Sequence, residues 1–371
     1  MTDTPADVVV VGGGVIGLSV AWRTAQLGKS VVVVERDLQP RGASWVAAGM
    51  LAPVGESNFE QEHLLRMNLE SARQYPLFLE ELTEATGLEI DAASGGSMHV
   101  ALNRDQAAAL KRLFNMSLEA HLEVEWLSGD DCRKLEPLLH PNVQSGMFAA
   151  GESAVDPRLL LEALRIALIK AGGTIQSGDA VRVGTGQVTL STGEAILADL
   201  VILCAGAATS TMRGVPEEVR RALRPVKGQI VRLKASEAQR LPLIDRIVVT
   251  EDVYLVPRNQ GEIVVGATVE EHADTLVTAG GVFELLRAAQ EVLPGIREME
   301  LAEASAASRP GTPDNAPLIG PTSIDGVIAA VGHYRNGILL APVTGDYIAQ
   351  LVAKDEVPPE IVPFSPLRFK S

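Results

Sequence analysis

The sequence predicts an α/β protein in which a parallel sheet is interleaved with an α+β unit built on an antiparallel sheet. Residues 8–11 are four consecutive valines, residues 15–27 have the small and apolar composition of a packed helix, and residues 31–34 repeat the valine run. Such a βαβ unit requires a right-handed crossover and a parallel sheet. Between residues 226 and 267, short strand-like runs are instead broken by Pro and Gly, which is typical of antiparallel strands.

The other elements follow from local patterns. Asp156 and Pro157 predict a helix start, since Asp accepts hydrogen bonds from the first amide groups and Pro fits the first turn. In chain order we predict a Gly- and Ala-rich loop at 39–58, a helix at 61–86, a strand at 96–102, a helix at 104–121, a meander at 180–198, a buried strand at 200–204, a helix at 279–293, a strand at 300–308 and a last helix at 338–352.

Length, charge and cysteine content limit the class of protein. A chain of 371 residues suggests two domains at about 150 residues each. The 32 Lys and Arg against 47 Asp and Glu leave a net charge of −15, which argues against nucleic-acid partners and anionic membrane surfaces. Cys132 and Cys204 show no CxxC spacing and cannot form a disulfide framework, so a reducing cytoplasm fits best.

The apolar start of the chain does not have the features of a signal peptide. Asp3 and Asp7 precede it without any Lys or Arg, and residues 8–21 contain four Gly. The sequence also has no run of 18 apolar residues, so we expect no membrane-spanning segment.

A glycine motif joins the first predicted strand to the first helix. Gly12, Gly14 and Gly17 form GxGxxG, and Glu35 ends the second strand. In this Rossmann-like arrangement the first glycine allows a tight turn, the second a close approach to a pyrophosphate and the third close helix–sheet packing, while the acid accepts both ribose hydroxyls. The pattern predicts a dinucleotide site.

Other catalytic motifs lack support. Residues 28–30 (GKS) resemble the end of a phosphate-binding P-loop, but Arg23 stands where that loop requires Gly, and the segment ends a helix instead of preceding one. There is no GxSxG elbow, and the six His show no HExxH-type spacing. The sequence therefore predicts no metal site.

Several segments resemble the D-amino-acid oxidase superfamily. Residues 42–50 (GASWVAAGM), which follow Glu35 and Arg36, resemble its second flavin-contact segment, and residues 202–207 (ILCAGA) a later strand and turn. Within the superfamily, the glycine oxidases of thiamine biosynthesis are the most similar group. The segments that carry this similarity are 308–314 (SRPGTPD) and 332–342 (GHYRNGILLAP). Residues 224–229 (RPVKGQ) and 252–258 (DVYLVPR) resemble the crossover of the superfamily into its substrate domain, and the matches together run from residue 8 to about 345.

The resemblance implies a Rossmann-like FAD-binding domain at 1–80, 148–222 and 306–371, and an α+β substrate-binding domain at 81–147 and 223–305. It implies oxidative deamination of glycine by O2 to glyoxylate, ammonia and hydrogen peroxide, with the imine serving thiazole formation. The FAD should be noncovalent, since Ala307 stands where covalent-flavin relatives carry Cys. A homotetramer and a thiazole-synthesis partner are further expectations from the resemblance.

The resemblance also assigns residues to the cofactor. The predicted FAD contacts are Gly12, Gly14, Val15, Ile16, Gly17, Glu35, Arg36, Ser44, Ala47, Ala48, Gly49, Met50, Val181, Cys204, Ala205, Gly206, His333, Arg335, Asn336, Gly337, Ile338 and Leu339.

Three residues are predicted to form the substrate site. Arg309 can hold a carboxylate bidentately, Tyr254 can add its hydroxyl, and Arg335 lies in a loop expected to shape the site. The amide groups of Ile338 and Leu339 are expected to face flavin N1 and O2. Without the resemblance, Arg309 and Arg335 could equally be surface cations and Tyr254 a half-buried strand residue.

No residue is predicted to act as an obligatory general base. Glu56, Asp252 and His333 lie near the matching segments, but hydride transfer from a neutral amine does not require one. Asp252 stands where some relatives have His, and Val269 where many glycine oxidases have Met. If Val269 lines the pocket, sarcosine or D-alanine would fit better.

Competing classes remain open from the sequence alone. They are a D-amino-acid or sarcosine oxidase, a dehydrogenase with another electron acceptor, a non-catalytic nucleotide-binding protein and an NAD-dependent dehydrogenase. An NAD-dependent dehydrogenase would share the pattern of the first 35 residues, but this class does not explain the segments at 42–50 and 332–342.

Overall fold

The computed structural model describes a chain of 371 residues over the ranges 5–37, 41–55, 61–90, 92–93, 95–235 and 242–369. Nine α-helices lie within these ranges: α1 Val15–Gln26, α2 Ala43–Val46, α3 Glu62–Thr86, α4 Arg104–Glu119, α5 Gly129–Leu135, α6 Pro157–Lys170, α7 Glu217–Ala222, α8 Ala279–Val292 and α9 Ala341–Lys354.

Nineteen strands lie in the same ranges: β1 Ala6–Val11, β2 Val31–Glu35, β3 Met50–Leu51, β4 Ala92–Ala93, β5 Ser97–Ala101, β6 Glu125–Ser128, β7 Ser145–Ala149, β8 Ser153–Val155, β9 Thr174–Ser177, β10 Ala180–Gly184, β11 Gln187–Leu190, β12 Ala195–Leu203, β13 Arg224–Lys234, β14 Ile247–Val249, β15 Tyr254–Pro257, β16 Glu262–Gly266, β17 Glu300–Gly311, β18 Leu318–Pro321 and β19 Val327–Val331.

The first sheet has a parallel centre, as predicted. Strands β19, β12, β1, β2 and β9 pair in parallel in that order, and β18 adds an antiparallel edge. The valines of β1 are buried because helices cover one face and the β10–β11 hairpin, with α7, packs against the other. Helices α1, α3, α6 and α9 form the helical layer, in which Trp22, Tyr75 and Phe78 are almost fully buried.

The second sheet has eight strands in the order β17-β13-β16-β15-β14-β5-β7-β6. Its pairs are antiparallel except β14 with β5, which is parallel. Helix α8 covers the face that carries Val231 and Leu233. A small third sheet of β3, β8 and β4 lies between the two larger ones in the chain order.

The chain passes repeatedly between the two large sheets. β1 and β2 enter the first, β5 to β7 the second, β9 to β12 the first, β13 to β17 the second, and β18 and β19 the first again. This alternation confirms the interleaved fold class that the sequence predicts. The domain boundaries given above remain a prediction.

Four local expectations are corrected. The loop predicted at 39–58 contains α2 and β3 within its described part, and the buried strand at 200–204 continues the last meander strand as β12. The strands between 226 and 267 are not all antiparallel, because β14 runs beside β5 and reaches it through a long connection. The last helix starts at Ala341 instead of Ile338, since residues 337–340 form a separate turn.

Both cysteines are free and buried. Of the helices in the described ranges, none combines the length and the apolar character of a membrane span. The described part of the chain also contains no group of three or more His, Cys, Asp or Glu placed to hold a metal ion.

Candidate active site

The glycine turn between β1 and α1 is packed too closely for side chains. A Cβ on Gly17 would lie 1.9 Å from Gly12 O, and a Cβ on Gly12 would lie 2.6 Å from Cys204 O at the end of β12. Gly12 also has a φ of +109°, which side-chain-bearing residues rarely adopt. The turn therefore brings α1 directly against the ends of two parallel strands.

Glu35 lies beside this turn, as the sequence predicts. Its carboxylate accepts hydrogen bonds from Gly13 N at 2.6 Å and from Asp37 N at 3.0 Å. Each carboxylate oxygen can accept more than one hydrogen bond, so both retain capacity for a diol. Arg36 is exposed in the turn that follows.

The first turn of α1 offers backbone amide groups to a ligand. Ser44 Oγ accepts from Val15 N at 3.1 Å, which joins the segment at 42–50 to the glycine turn. Among the hydrogen bonds of the described residues, the amide groups of Gly14, Ile16 and Gly17 have no acceptor. A helix N-terminus with open amide groups is suited to a phosphate.

Further residues predicted to contact FAD lie near Glu35 and the glycine turn. Gly178 N donates to Glu35 O at 2.9 Å, and Val181 follows three residues later in β10. Cys204, Ala205 and Gly206 leave the end of β12 beside Gly12. Burial raises the pKa of the Cys204 thiol, so this side chain is a neutral packing group.

Residues 47–50 lie between the two large sheets. Their backbone carbonyl groups accept hydrogen bonds from two different segments of the chain. Gly49 O accepts from Val155 N at 2.9 Å, and a Cβ on Gly49 would lie 2.0 Å from Val155 O. Arg258 Nη2, from the end of β15, donates to Ala48 O. The small residues Ala47, Ala48 and Gly49 allow this close approach of the neighbouring backbone.

Arg258 carries a charge into this region. Burial lowers its pKa to about 10, a shift that Asp156 and Glu262 oppose and Arg232 reinforces, so the guanidinium stays protonated at neutral pH. Arg258 belongs to the segment at 252–258 that the sequence analysis singles out, but no role is predicted for it there.

The turn at 337–340 presents two buried amide groups. Ile338 and Leu339 are 5% and 2% exposed, and their N–H groups have no acceptor among the described residues. Their carbonyl groups are held by α3, where Tyr75 Oη donates to Ile338 O at 2.9 Å and Ser71 Oγ to Leu339 O at 2.5 Å. Buried amide groups without acceptors require a partner, because leaving them unpaired is costly.

Arg309 and Tyr254 lie on one face of the second sheet. A Cβ on Gly228 would lie 2.2 Å from Arg309 Nη1, so the guanidinium covers Gly228. Ile230, two residues on, shares that face and pairs with Gly266, which in turn pairs with Tyr254. The Tyr254 ring covers Gly266, where a Cβ would lie 2.4 Å from the hydroxyl.

This face packs against the segment at 42–50. Val46 and Ala48 form one apolar cluster with Ile230, Val264 and Ala307, and Tyr254 and Met50 contact the same cluster. The structure therefore places two of the three predicted substrate residues, Tyr254 and Arg309, on the sheet face that packs against the predicted flavin-contact segment, more than 200 residues away in the chain.

Val269 follows a residue that contacts Arg309. Arg309 Nη1 donates to Thr268 O at 3.1 Å, while Thr268 Oγ1 donates to Glu270 Oε1. Val269 stands between Thr268 and Glu270 in the segment that follows β16. Its side chain is 57% exposed.

The loop at 332–337 joins the two ends of the site. Tyr334 N donates to Pro310 O at 3.1 Å, which ties the loop to the residue after Arg309. Arg335 is exposed, whereas Asn336 is buried. The His333 ring is buried with Nε2 3.0 Å from Thr344 Oγ1, and burial lowers its pKa to about 3.

Two of the three base candidates lie in the described part of the chain. His333 is neutral and directed at α9, and Asp252 is exposed in the β14–β15 turn. Glu56 lies outside the described residues. No hydrogen bond among the described residues joins either His333 or Asp252 to Arg309.

Taken together, these features fit a dinucleotide in extended form. Open amide groups at α1 suit its pyrophosphate, the Glu35 carboxylate suits a ribose, and the unpaired amide groups of Ile338 and Leu339 suit the electron-rich edge of a flavin ring. The fold and the site define a flavin-dependent oxidoreductase.

Comparison with known proteins agrees. The family model described as FAD dependent oxidoreductase (DAO) matches residues 7–351, and the chain belongs to this family. FAD is accordingly its cofactor.

Individual relatives are similar along the whole chain. A glycine oxidase of Geobacillus kaustophilus is 32% identical over 367 residues, which is 97% of this chain and 96% of that protein. The crystal structure of glycine oxidase from that organism has a TM-score of 0.90 at 30% identity, and the match covers 97% of this chain and 98% of that one. The bifunctional protein ThiO/ThiG of Synechocystis is 34% identical over 99% of this chain, which spans about half (54%) of that relative.

Proposed function

We propose that the protein oxidises glycine with O2 to glyoxylate, ammonia and hydrogen peroxide. The observation that carries the proposal is the placement of Arg309 and Tyr254 on the sheet face that packs against residues 47–50. The similarity to glycine oxidases over nearly the full chain supports the choice of substrate.

Arg309 would bind the substrate carboxylate. A guanidinium offers two parallel N–H groups to the two oxygens, which defines the orientation of the carboxylate as well as neutralising its charge. One Nη1 hydrogen bond to Thr268 O holds the group against the sheet. The Tyr254 hydroxyl adds a second donor from the neighbouring strand pair, so the carboxylate is held from two sides.

The amino-acid α-carbon is then directed towards residues 47–50. FAD, when bound there, supplies the acceptor for the α-hydrogen and its electron pair, and O2 takes up that pair to leave as hydrogen peroxide. The other product is an imine, which water hydrolyses to glyoxylate and ammonia. A neutral amine can lose the hydride without a protein base.

The amide groups of Ile338 and Leu339 would stabilise negative charge that develops on the cofactor. They are buried and held by Ser71 and Tyr75, so little reorganisation is needed when charge appears.

A peroxide assay tests the proposal. Purified FAD-loaded protein is given glycine, sarcosine, D-alanine and D-proline, and hydrogen peroxide formation is compared by kcat/KM. We expect the highest value with glycine. Reduction of an artificial acceptor without peroxide would replace the oxidase by a dehydrogenase, and a lack of flavin reduction by all four would contradict an amino-acid substrate.

Sarcosine or a small D-amino acid is the second candidate, and Val269 favours it. This side chain is shorter than Met, and it follows Thr268, whose carbonyl accepts from Arg309. Lining the pocket from there, it would leave room for one extra methyl group on the substrate. A higher kcat/KM with sarcosine or D-alanine than with glycine would support this alternative.

A role in thiazole formation for thiamine is a further part of the proposal, supported by the similarity to the bifunctional ThiO/ThiG. The predicted homotetramer and thiazole-synthesis partner remain expectations that sedimentation and pull-down experiments can test.

A further inference from the structure

A polar cluster with two buried members, Lys227 and Gln229, lies behind Arg309, on the opposite face of the second sheet. Lys227 and Gln229 flank Gly228 in β13, so their side chains point away from the guanidinium that covers Gly228. The Lys227 side chain is 2% exposed, and its Nζ lies 2.8 Å from Asp274 Oδ1 and 3.4 Å from Glu270 Oε2. A lysine buried to this extent needs such partners.

Glu270 is the centre of the cluster. Its Oε1 accepts hydrogen bonds from Thr268 Oγ1 and Gln229 Nε2, both at 2.6 Å. Thr268 Oγ1 also accepts from Gln229 N at 2.9 Å. Burial opposes ionisation, but hydrogen bonds from Thr268, Gln229 and Lys227 hold the pKa of Glu270 below its ordinary value. The carboxylate therefore stays charged at neutral pH. We call Lys227, Gln229, Thr268, Glu270 and Asp274 the reverse-face cluster.

The reverse-face cluster also secures the chain after β16. Lys227 N donates to Glu270 O at 2.8 Å, and Glu270 N donates to Lys227 O at 3.0 Å. Thr278 N, at the start of α8, donates to Gln229 Oε1 at 2.8 Å. Residues 268–278 are thus held to β13 by both backbone and side-chain bonds.

Arg309 rests on the backbone of the same residues. Its Nη1 donates to Thr268 O at 3.1 Å and to Lys227 O at 3.5 Å. The two carbonyl groups that position the guanidinium thus belong to residues whose side chains lie in the reverse-face cluster. A shift of the Thr268 backbone would move the guanidinium with it.

We propose that Lys227, Gln229 and Glu270 are positioning residues that set the geometry of the Arg309 guanidinium through the backbone of residues 227 and 268. The inference rests on the proposed role of Arg309 as the ligand of a substrate carboxylate. None of the three touches the substrate, so their effect is on carboxylate binding and not on the electron transfer itself.

The test measures carboxylate binding without turnover. Acetate is titrated into the oxidised, FAD-loaded protein, and its Kd is read from the change in flavin absorbance. In Glu270→Gln, the amide faces Lys227 where a carboxylate oxygen stood, so the cluster must rearrange. We expect the acetate Kd and the glycine KM to rise about tenfold, with kcat and the flavin midpoint potential nearly unchanged.

A matched control and a milder variant accompany it. Glu271→Gln removes the neighbouring carboxylate, which is exposed and pairs with Arg224 outside the cluster, and should leave the acetate Kd unchanged. Thr268→Val keeps the side-chain volume and the backbone carbonyl but removes the hydroxyl. It should raise the acetate Kd about fivefold. This variant replaces Glu270→Gln in the test if Glu270→Gln does not fold.

A double-mutant cycle separates positioning from general destabilisation. In an Arg309→Lys background, Glu270→Gln should raise the acetate Kd by less than about twofold, because the group it positions has been replaced. An undiminished effect in that background, or an equal effect of Glu271→Gln, would overturn the inference. If no amino acid is oxidised but acetate binding follows the expected pattern, the proposed function fails and the positioning role stands.

Discussion

The two ends of the site are built on different principles. At the proposed nucleotide end, residues 12–17 and Glu35 form a local unit with open backbone amide groups, and close packing decides which residues are tolerated. At the proposed substrate end, Tyr254 and Arg309 come from separate strands, and the sheet register places their side chains on one face. We therefore expect FAD binding at the nucleotide end to be sensitive to added side-chain volume. Substrate binding at the other end should be sensitive to loss of charge.

Loss of the Arg309 charge should have the largest effect. Arg309→Met is expected to lower kcat/KM for glycine about 10³-fold, or ~4 kcal/mol, because the carboxylate loses its paired cation. The FAD content, read from the ratio of flavin to protein absorbance, should be unchanged. Arg287→Met, at an exposed arginine of α8, is the control. A parallel loss of FAD would show that the two ends are not separable.

Added side-chain volume at the glycine turn should have the next largest effect. It should change the affinity for FAD only. In Gly17→Ala the new methyl group would overlap Gly12 O, so the turn must open and the dissociation constant of FAD should rise about 100-fold (roughly 2.7 kcal/mol). Titration of apoprotein with FAD measures this. Gly280→Ala has open space around its Cβ and should bind FAD normally. Normal FAD affinity in Gly17→Ala would contradict the conclusion that close packing at the turn leaves no space for a side chain.

A smaller effect is expected where α3 supports the amide groups of residues 338 and 339. Tyr75→Phe removes one buried hydrogen bond to Ile338 O, worth about 1 kcal/mol, and should weaken FAD binding about fivefold. The KM for glycine should stay the same. Tyr347→Phe, at the partly buried tyrosine of α9, is the comparison variant. An altered KM with unchanged FAD affinity would place Tyr75 at the substrate end instead.

The smallest effect is predicted for Asp252. The residue is exposed in the β14–β15 turn, and its N–H bonds only within that turn, to Thr250 Oγ1. Asp252→Asn should therefore leave the rate of flavin reduction within about twofold in stopped-flow measurements. A thousandfold loss would identify a proton acceptor and end the proposal of a base-free reaction.

The same contrast explains what the sequence could predict. The βαβ unit, the glycine turn and Glu35 depend on neighbours within 35 residues, and the structure places all of them as expected. Arg309 and Tyr254 were predicted from motif resemblance, because no local pattern relates two strands 55 positions apart.

Hydrogen bonds between residues far apart in the chain could not be predicted from local sequence patterns or from the motifs. Ser71 reaches Leu339 across 268 positions, Tyr75 reaches Ile338 across 263, and Arg258 reaches Ala48 across 210. The misplaced start of α9 has the same cause, since apolar residues 338–340 read as helix while α3 holds two of their carbonyl groups in a separate turn. Tertiary contacts override local helical preference there.

The alternation of the chain between the two large sheets has a consequence for synthesis on the ribosome. β17 covers the edge of β13 only after residue 311, and β19 joins β12 only after residue 331 of 371. Each sheet therefore stays incomplete until strands from far along the chain have been made. Until then, the edges of β12 and β13 that these strands cover are open to pairing with other chains.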